Sequence, residues 1–164
     1  RFDEYGLKIN MDSIQAAILE VKLKYFDKHI QARQNAAAYY DEHLNEIDGL
    51  QIPGRASYST HTFHQYTIRI DKRNELQKYL GEKGIPSMVY YPGSIHLQEA
   101  YQFLGYKKGD FPVSEKLGET VLSLPMHTEH TEDQLEYIVN SIKEFFEKER
   151  LTTKTHINKQ TGKK

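Results

Sequence analysis

The chain has 164 residues, 38% of them hydrophobic and 27% charged, with 22 Lys+Arg against 23 Asp+Glu for a formal net charge of -1. That is enough chain for one compact domain with its own core, and its near-zero charge offers no field to attract nucleic acid or an anionic membrane. Cysteine is absent, which excludes disulfides, thiolate metal sites and a cysteine nucleophile and fits a cytoplasmic setting. No apolar run approaches the roughly 20 residues that a membrane-spanning helix needs. The opening Arg1-Phe2-Asp3 carries neither Met nor a leader and reads as the start of a fragment.

The first element is a long helix from about residue 12. Asp12 with Gln15 has the spacing of a capping box, and Ile14, Ile18, Val21 and Tyr25 fall on one face. Helix formers continue to about Leu44, with a bend or break expected around Asp27 to Ile30, and Asp48-Gly49 marks a turn. Residues 50–52, 63–70 and 87–91 read as three strands of one sheet. Between them Asp71 is placed to cap a helix that ends at Gly84, before Ile85-Pro86. A short helix is expected over 96–104, and another over 114–121 that leads into the apolar stretch Val121-Leu122-Ser123-Leu124. Thr131 with Gln134 opens the last helix, whose inner stripe is Leu135, Ile138, Val139, Ile142 and Phe146. After Arg150 the pattern becomes basic and aperiodic, so the domain is read as 1–150 with a flexible basic tail over 151–164. Helices and strands mixed in this order give an α+β fold, a few-stranded sheet covered by helices, with both the first and the last helix against the sheet.

The densest candidate site is Tyr90-Tyr91-Pro92-Gly93-Ser94-Ile95-His96. Two tyrosines end a strand, Pro-Gly turns the chain, and a histidine opens the next element, the kind of place where loops carry sites. Alternation puts the two tyrosines on opposite sheet faces, so at most one is needed in the core. A tyrosine hydroxyl can meet a ligand oxygen, and histidine can exchange a proton near neutrality; alternatively both tyrosines pack and His96 caps or is solvated. His61 and His64 point to opposite sides of a strand and lack a third ligand, which argues against a metal site. His127 and His130 read as loop residues, and no phosphate-binding or nucleophile-elbow motif is present.

Five segments in order resemble the C-terminal part of the DegT/StrS-type sugar aminotransferases, members of the fold-type I pyridoxal-phosphate superfamily. They are Asp12-Ser13-Ile14-Gln15-Ala16-Ala17, His64-Gln65-Tyr66, Gly84-Ile85-Pro86 with Tyr90-Tyr91-Pro92 and Ile95-His96-Leu97, Phe111-Pro112-Val113 with Leu122-Ser123-Leu124-Pro125, and Thr131-Glu132. The resemblance implies the small C-terminal domain of an enzyme that uses pyridoxal 5'-phosphate to move an amino group, usually from glutamate, to a nucleotide-linked keto sugar. That activity belongs to aminosugar and cell-surface polysaccharide biosynthesis. It implies a homodimer with active sites between subunits, and a Schiff-base lysine in an N-terminal domain that this sequence does not include, so no catalytic residue is assigned here.

In the family, the segment before the first helix enters the neighbour's site. On that pattern Lys8 and Asn10 would contact the cofactor, Asn10 through an amide where the family often has Arg. Tyr90, Tyr91 and His96 match the substrate-side wall. A reading from another class is a non-catalytic remnant or dimerising interaction module of the same fold.

Overall fold

The computed structural model describes residues 12–160, with side chains through Thr152. Helix α1 (Ser13–Leu23) starts at Asp12, whose Oδ1 accepts the Ile14 N–H at 2.7 Å. Helix α2 (Phe26–Leu44) follows after a break at Lys24-Tyr25, where the Lys24 and Tyr25 amides bond three residues back instead of four. The break therefore comes earlier than the 27–30 stretch expected from the sequence.

Strands β1 (Leu50–Gln51), β2 (Tyr66–Ile70) and β3 (Val121–Leu124) make one antiparallel sheet in the order β1-β2-β3. Helix α3 (Arg73–Glu82) links β2 to the loop region of two 3-10 turns, Ile95–Leu97 and Glu99–Leu104. Helix α4 (Pro112–Thr120) runs directly into β3, and helix α5 (Glu132–Gln160) closes the chain. Thr131 and Gln134 form the expected reciprocal cap of α5, Thr131 N–H to Gln134 Oε1 at 3.1 Å and Gln134 N–H to Thr131 Oγ1 at 3.3 Å. Gly84, at φ 73°, ends α3 as the sequence predicts, and the Ile85 amide turns back to the Leu80 carbonyl at 2.9 Å. Asp71 does not cap α3: Lys72 is the cap residue, and Asp71 pairs with Lys116 at 2.7 Å.

Two strand assignments are corrected. The third strand is Val121–Leu124, and the 87–91 segment contributes one bridge, Met88 to Ser123. Pro86 and Pro92 flank that segment without an amide to donate, so the ladder cannot extend far along it. Strand β2 begins at Tyr66 and not at residue 63, because Phe63 sits at φ 48°, a left-handed conformation outside any ladder.

On one sheet face Tyr66, Ile68 and Ile70 of β2 and Leu122 and Leu124 of β3 are buried. They meet Ala36, Ala37, Tyr40 and Leu44 of α2, Leu76 and Leu80 of α3, and Leu135, Ile138, Val139, Ile142 and Phe145 of α5 in one core. The predicted α5 stripe holds, with Phe145 buried and Phe146 at its edge. The first helix does not lie on this sheet: α1 has no buried residue, and Ile14 is 72% exposed. It is α2, beyond the break, that supplies the covering face. At the other end α5 continues past Arg150 to Gln160, into the segment expected to be an aperiodic tail. No Gly or Pro interrupts 132–160, and backbone bonding sustains a helix there without an apolar stripe.

Ile142 is fully enclosed, so Ile142→Asp places an unpaired charge in the core. The expected cost is about 3 kcal/mol or more, read as a lower urea midpoint. An unchanged midpoint would show that this face of α5 is not buried.

Candidate functional site

The outer edge of the sheet carries the candidate site. The Met88–Ser123 bridge, with N···O distances of 3.0 and 2.9 Å, hangs the 87–91 segment on β3. Beyond it Tyr90 and Tyr91 turn to different clefts, and neither is core: Tyr90 is 50% and Tyr91 80% exposed.

Tyr91 stands in a cleft of about 720 Å³ whose walls are Gly93, Ser94 and Ile95 on one side and Phe111, Val113 and Leu117 of the α4 region on the other. Helix α4 passes this turn at Gly118, where a Cβ would meet the Pro92 carbonyl oxygen at 3.4 Å, an ordinary van der Waals contact. Tyr90 borders a smaller cleft of about 210 Å³ with His64, Gln65, Ser87 and Met126. The Ser87 hydroxyl faces no hydrogen-bond partner there.

His96 behaves differently from the expected substrate-side residue. The residue is 9% exposed and its ring is turned inward, 4.8 Å from the Phe111 ring centre, with Nε2 3.0 Å from Glu115 Oε1. It is not part of the lining of the Tyr91 cleft. The same Glu115 oxygen accepts the Gly109 N–H at 2.8 Å. These bonds, the Gly109 amide first, hold the Glu115 carboxyl below its ordinary value of 4.5 against the opposing effect of burial. The expected cofactor contacts Lys8 and Asn10 lie outside the described residues.

Two features of the site escape local sequence reading. Arg73, at the start of α3, is buried and donates from Nη1 to the Val121 carbonyl at 3.2 Å and from Nη2 to the Gly118 carbonyl at 3.3 Å. It pins the α4–β3 junction under the cleft, and nothing near Arg73 in sequence announces so distant a partner. Glu115 is the other, one carboxylate among many on helix surfaces until the fold brings His96 to it.

Among the described residues no three His, Asp or Glu side chains are grouped to hold a metal ion. His61 Nδ1 accepts the Phe63 amide at 2.8 Å, and His127 Nδ1 the Glu129 amide at 3.1 Å. Burial, first, and the neighbouring His127 push His130 below its ordinary 6.5, and its Nε2 has no partner. For a pyridoxal cofactor the fit is incomplete. Neither tyrosine cleft has a lysine in its wall, and Lys72, Lys83 and Lys116 are paired with Glu149, Glu144 and Asp71. Each of these two clefts offers a wall for a ligand, and neither has a lysine among its lining residues.

A profile described as the DegT/DnrJ/EryC1/StrS aminotransferase family matches residues 1–143. The "Pleiotropic regulatory protein" of Geobacillus stearothermophilus is 45% identical over 143 residues, 86% of this chain and 38% of that protein. The UDP-N-acetyl-3-dehydro-alpha-D-glucosamine 3-aminotransferase of Acidithiobacillus ferrooxidans is 36% identical, over 86% of this chain and 37% of its own. Among solved structures, S. venezuelae DesV in complex with a ketimine intermediate superposes with a TM-score of 0.81 at 30% identity, covering 84% of this chain and 37% of that one. A DegT DnrJ EryC1 StrS aminotransferase from Brucella abortus gives 0.76 at 35% identity, over 84% and 36%. The chain thus spans 38% of the length of the first of these relatives.

The lowered Glu115 carboxyl makes a pH prediction. A depressed carboxylate contributes stability that is complete above its unfolded value, here about 4.5, and is lost as pH falls through the folded value. The difference in urea midpoint between the wild-type chain and Glu115→Gln is therefore expected to be largest near neutrality and to shrink as pH falls below the ordinary carboxyl value of 4.5. A difference that does not change with pH would show that Glu115 is not held ionised by these bonds.

Proposed function

Because this chain belongs to the DegT/DnrJ/EryC1/StrS aminotransferase family, we propose that it serves as the C-terminal small domain of an enzyme that aminates a nucleotide-linked keto sugar. The amino group comes from glutamate, the carrier is pyridoxal 5'-phosphate, and the product feeds aminosugar or cell-surface polysaccharide synthesis in the cytoplasm. The observation that carries this reading is the family match along 1–143, joined by relatives whose names specify transaminases of nucleotide-linked amino sugars.

In this reading the Schiff-base lysine lies outside this chain. The chain's own contribution is binding and enclosure. Tyr91 and the carbon-rich wall of α4 exclude water from one side of the substrate, and the Tyr91 hydroxyl is free to meet a sugar or phosphate oxygen. Tyr90 does the same from the smaller cleft. Lys8 and Asn10 reach the cofactor side of the neighbouring subunit in a homodimer, Lys8 by charge and Asn10 by its amide.

A second reading, a non-catalytic interaction module of the same fold, is favoured by one observation: the relative at 45% identity bears the name of a regulatory protein.

Two experiments test the first reading. The 164-residue chain mixed with pyridoxal phosphate is expected to give no stoichiometric visible band reducible by borohydride onto a single lysine; such a band would place the amine within this chain. In the intact protein, a mixed dimer combines Asn10→Ala in one subunit with a disabled cofactor lysine in the other. If Asn10 acts across the interface both defects fall in one site, and about half of the activity per dimer survives. Near-zero activity, with Asn10→Ala severe alone, would reject the trans assignment, and an intact protein with no transamination of any nucleotide-linked keto sugar would favour the regulatory reading.

A further inference from the structure

One wall of the Tyr91 cleft is a segment with little regular structure, and the other is the face of α4 with the loop that leads into it. On one side the chain leaves the sheet at Met88 and runs through Pro92-Gly93 to the 3-10 turn at Ile95–Leu97. On the other, residues 105–111 form an irregular loop that enters α4. Two side-chain bonds cross between the 94–97 segment and α4: Ser114 Oγ to Ser94 Oγ at 3.3 Å, and His96 Nε2 to Glu115 Oε1 at 3.0 Å. The second is nearly shut off from water, with the His96 and Glu115 side chains 8% and 11% exposed.

We propose that His96 and Glu115 form a positioning pair that sets the width of the Tyr91 cleft, with His96 acting through Glu115 and not on the ligand. Three segments converge on one carboxylate oxygen. His96 Nε2–H brings the 94–97 wall to it, the Gly109 N–H brings the 105–111 loop, and Glu115 itself stands in the first turn of α4. A carboxylate only accepts, so His96 must present Nε2–H and not a bare nitrogen. Gly109 sits at φ 100°, a conformation that a side chain would strain, so the loop is shaped to aim its amide at Glu115. Phe111 seals the arrangement, its ring 4.8 Å from His96 and 5.0 Å from Tyr106, and it also lines the cleft. A shift of the pair therefore moves a wall residue directly. Bonds of this charge-assisted kind are the strong ones, and a water-excluded setting spares this pair the screening that makes surface pairs weak.

The width of the cleft is a property of the fold; that the cleft receives a nucleotide-linked sugar rests on the reading above. The test separates the two. In the 164-residue chain, His96→Leu keeps bulk and removes the donor. Hydrogen exchange at the Gly109 amide is expected to speed by about tenfold or more, with movement of the Tyr91 and Phe111 ring resonances, while the β2 amides keep their protection. His96→Gln, whose amide nitrogen can donate at similar reach, is expected to restore most of that protection. His96→Asn, which falls short of Glu115, should resemble the leucine variant and replaces it if that variant does not fold. Unchanged Gly109 exchange in the leucine and asparagine variants, a glutamine variant no better than leucine, or equal loss throughout β2 would each overturn the proposal. In the intact enzyme His96→Leu is expected to raise KM for the nucleotide-linked sugar more than it lowers kcat, with rescue by His96→Gln. Altered Gly109 exchange with an unmoved KM would uphold the pair and overturn the reading of this cleft as the substrate wall.

Discussion

The attachment of α2 to the ends of the strands is the constraint from which the remaining geometry follows. Tyr40 and Tyr66 are fully enclosed with rings 4.9 Å apart, and each carries a hydroxyl into the core. A buried hydroxyl without a partner costs more than the bond returns, so the positions of both rings are dictated by where their oxygens find acceptors. Tyr40 reaches the Pro125 carbonyl at 2.9 Å, just past β3, and Tyr66 reaches Asp41 of α2 at 2.7 Å. Burial pushes both phenols well above their ordinary value of 10, which keeps them neutral donors. Arg33, on the same helix, adds bonds to the Phe63 and His64 carbonyls ahead of β2 at 3.3 and 3.2 Å. One helix thereby fixes where β2 begins and where β3 ends. Because the 87–91 segment hangs on β3 through a single bridge, the tyrosine clefts inherit their place from α2.

Much of the core could be read from the sequence because its signals are local. The α5 stripe follows from helical periodicity, and the Thr131–Gln134 cap from a spacing of three. The Gly84 stop follows from one residue's freedom at positive φ. The misreadings share a different cause. Helix α1 carries apolar residues at helical spacing, as α5 does, yet periodicity says only that a face is apolar, never what covers it. Residues 87–91 and 121–124 are both runs of strand length with apolar side chains. Which of them joins β2 is decided by prolines at the ends of the first and by α4 delivering the second into register.

The candidate stretch was legible as a turn beside aromatics but not as a set of side-chain pairings. The stretch from Tyr90 to His96 stood out through turn residues beside aromatics, and Tyr91 does open onto a cleft. Yet the residue with the most reactive side chain there points away from it. His96 is consumed by a carboxylate nineteen residues on, a pairing that exists only after the 105–111 loop folds back. Arg73 is the same kind of case, a surface-type residue whose guanidinium is spent on two carbonyls at the α4–β3 junction. Long-range polar pairings of this kind carry no periodicity and leave no spacing to recognise.

The independence of α1 from the core divides the chain into two classes of mutational tolerance. A substitution at Ile138 or Val139 is felt by folding itself, whereas one at Ile14 or Ile18 removes nothing that the core of this chain uses. A screen that scores variants by abundance or protease resistance of this chain alone would rank α1 among its most permissive segments, level with any solvated helix. A screen for the biological output of the complete protein would impose on α1 whatever demands its apolar face answers to. The difference between the two maps, residue by residue along Ser13–Leu23, would trace the outline of that face whatever the identity of the surface that meets it.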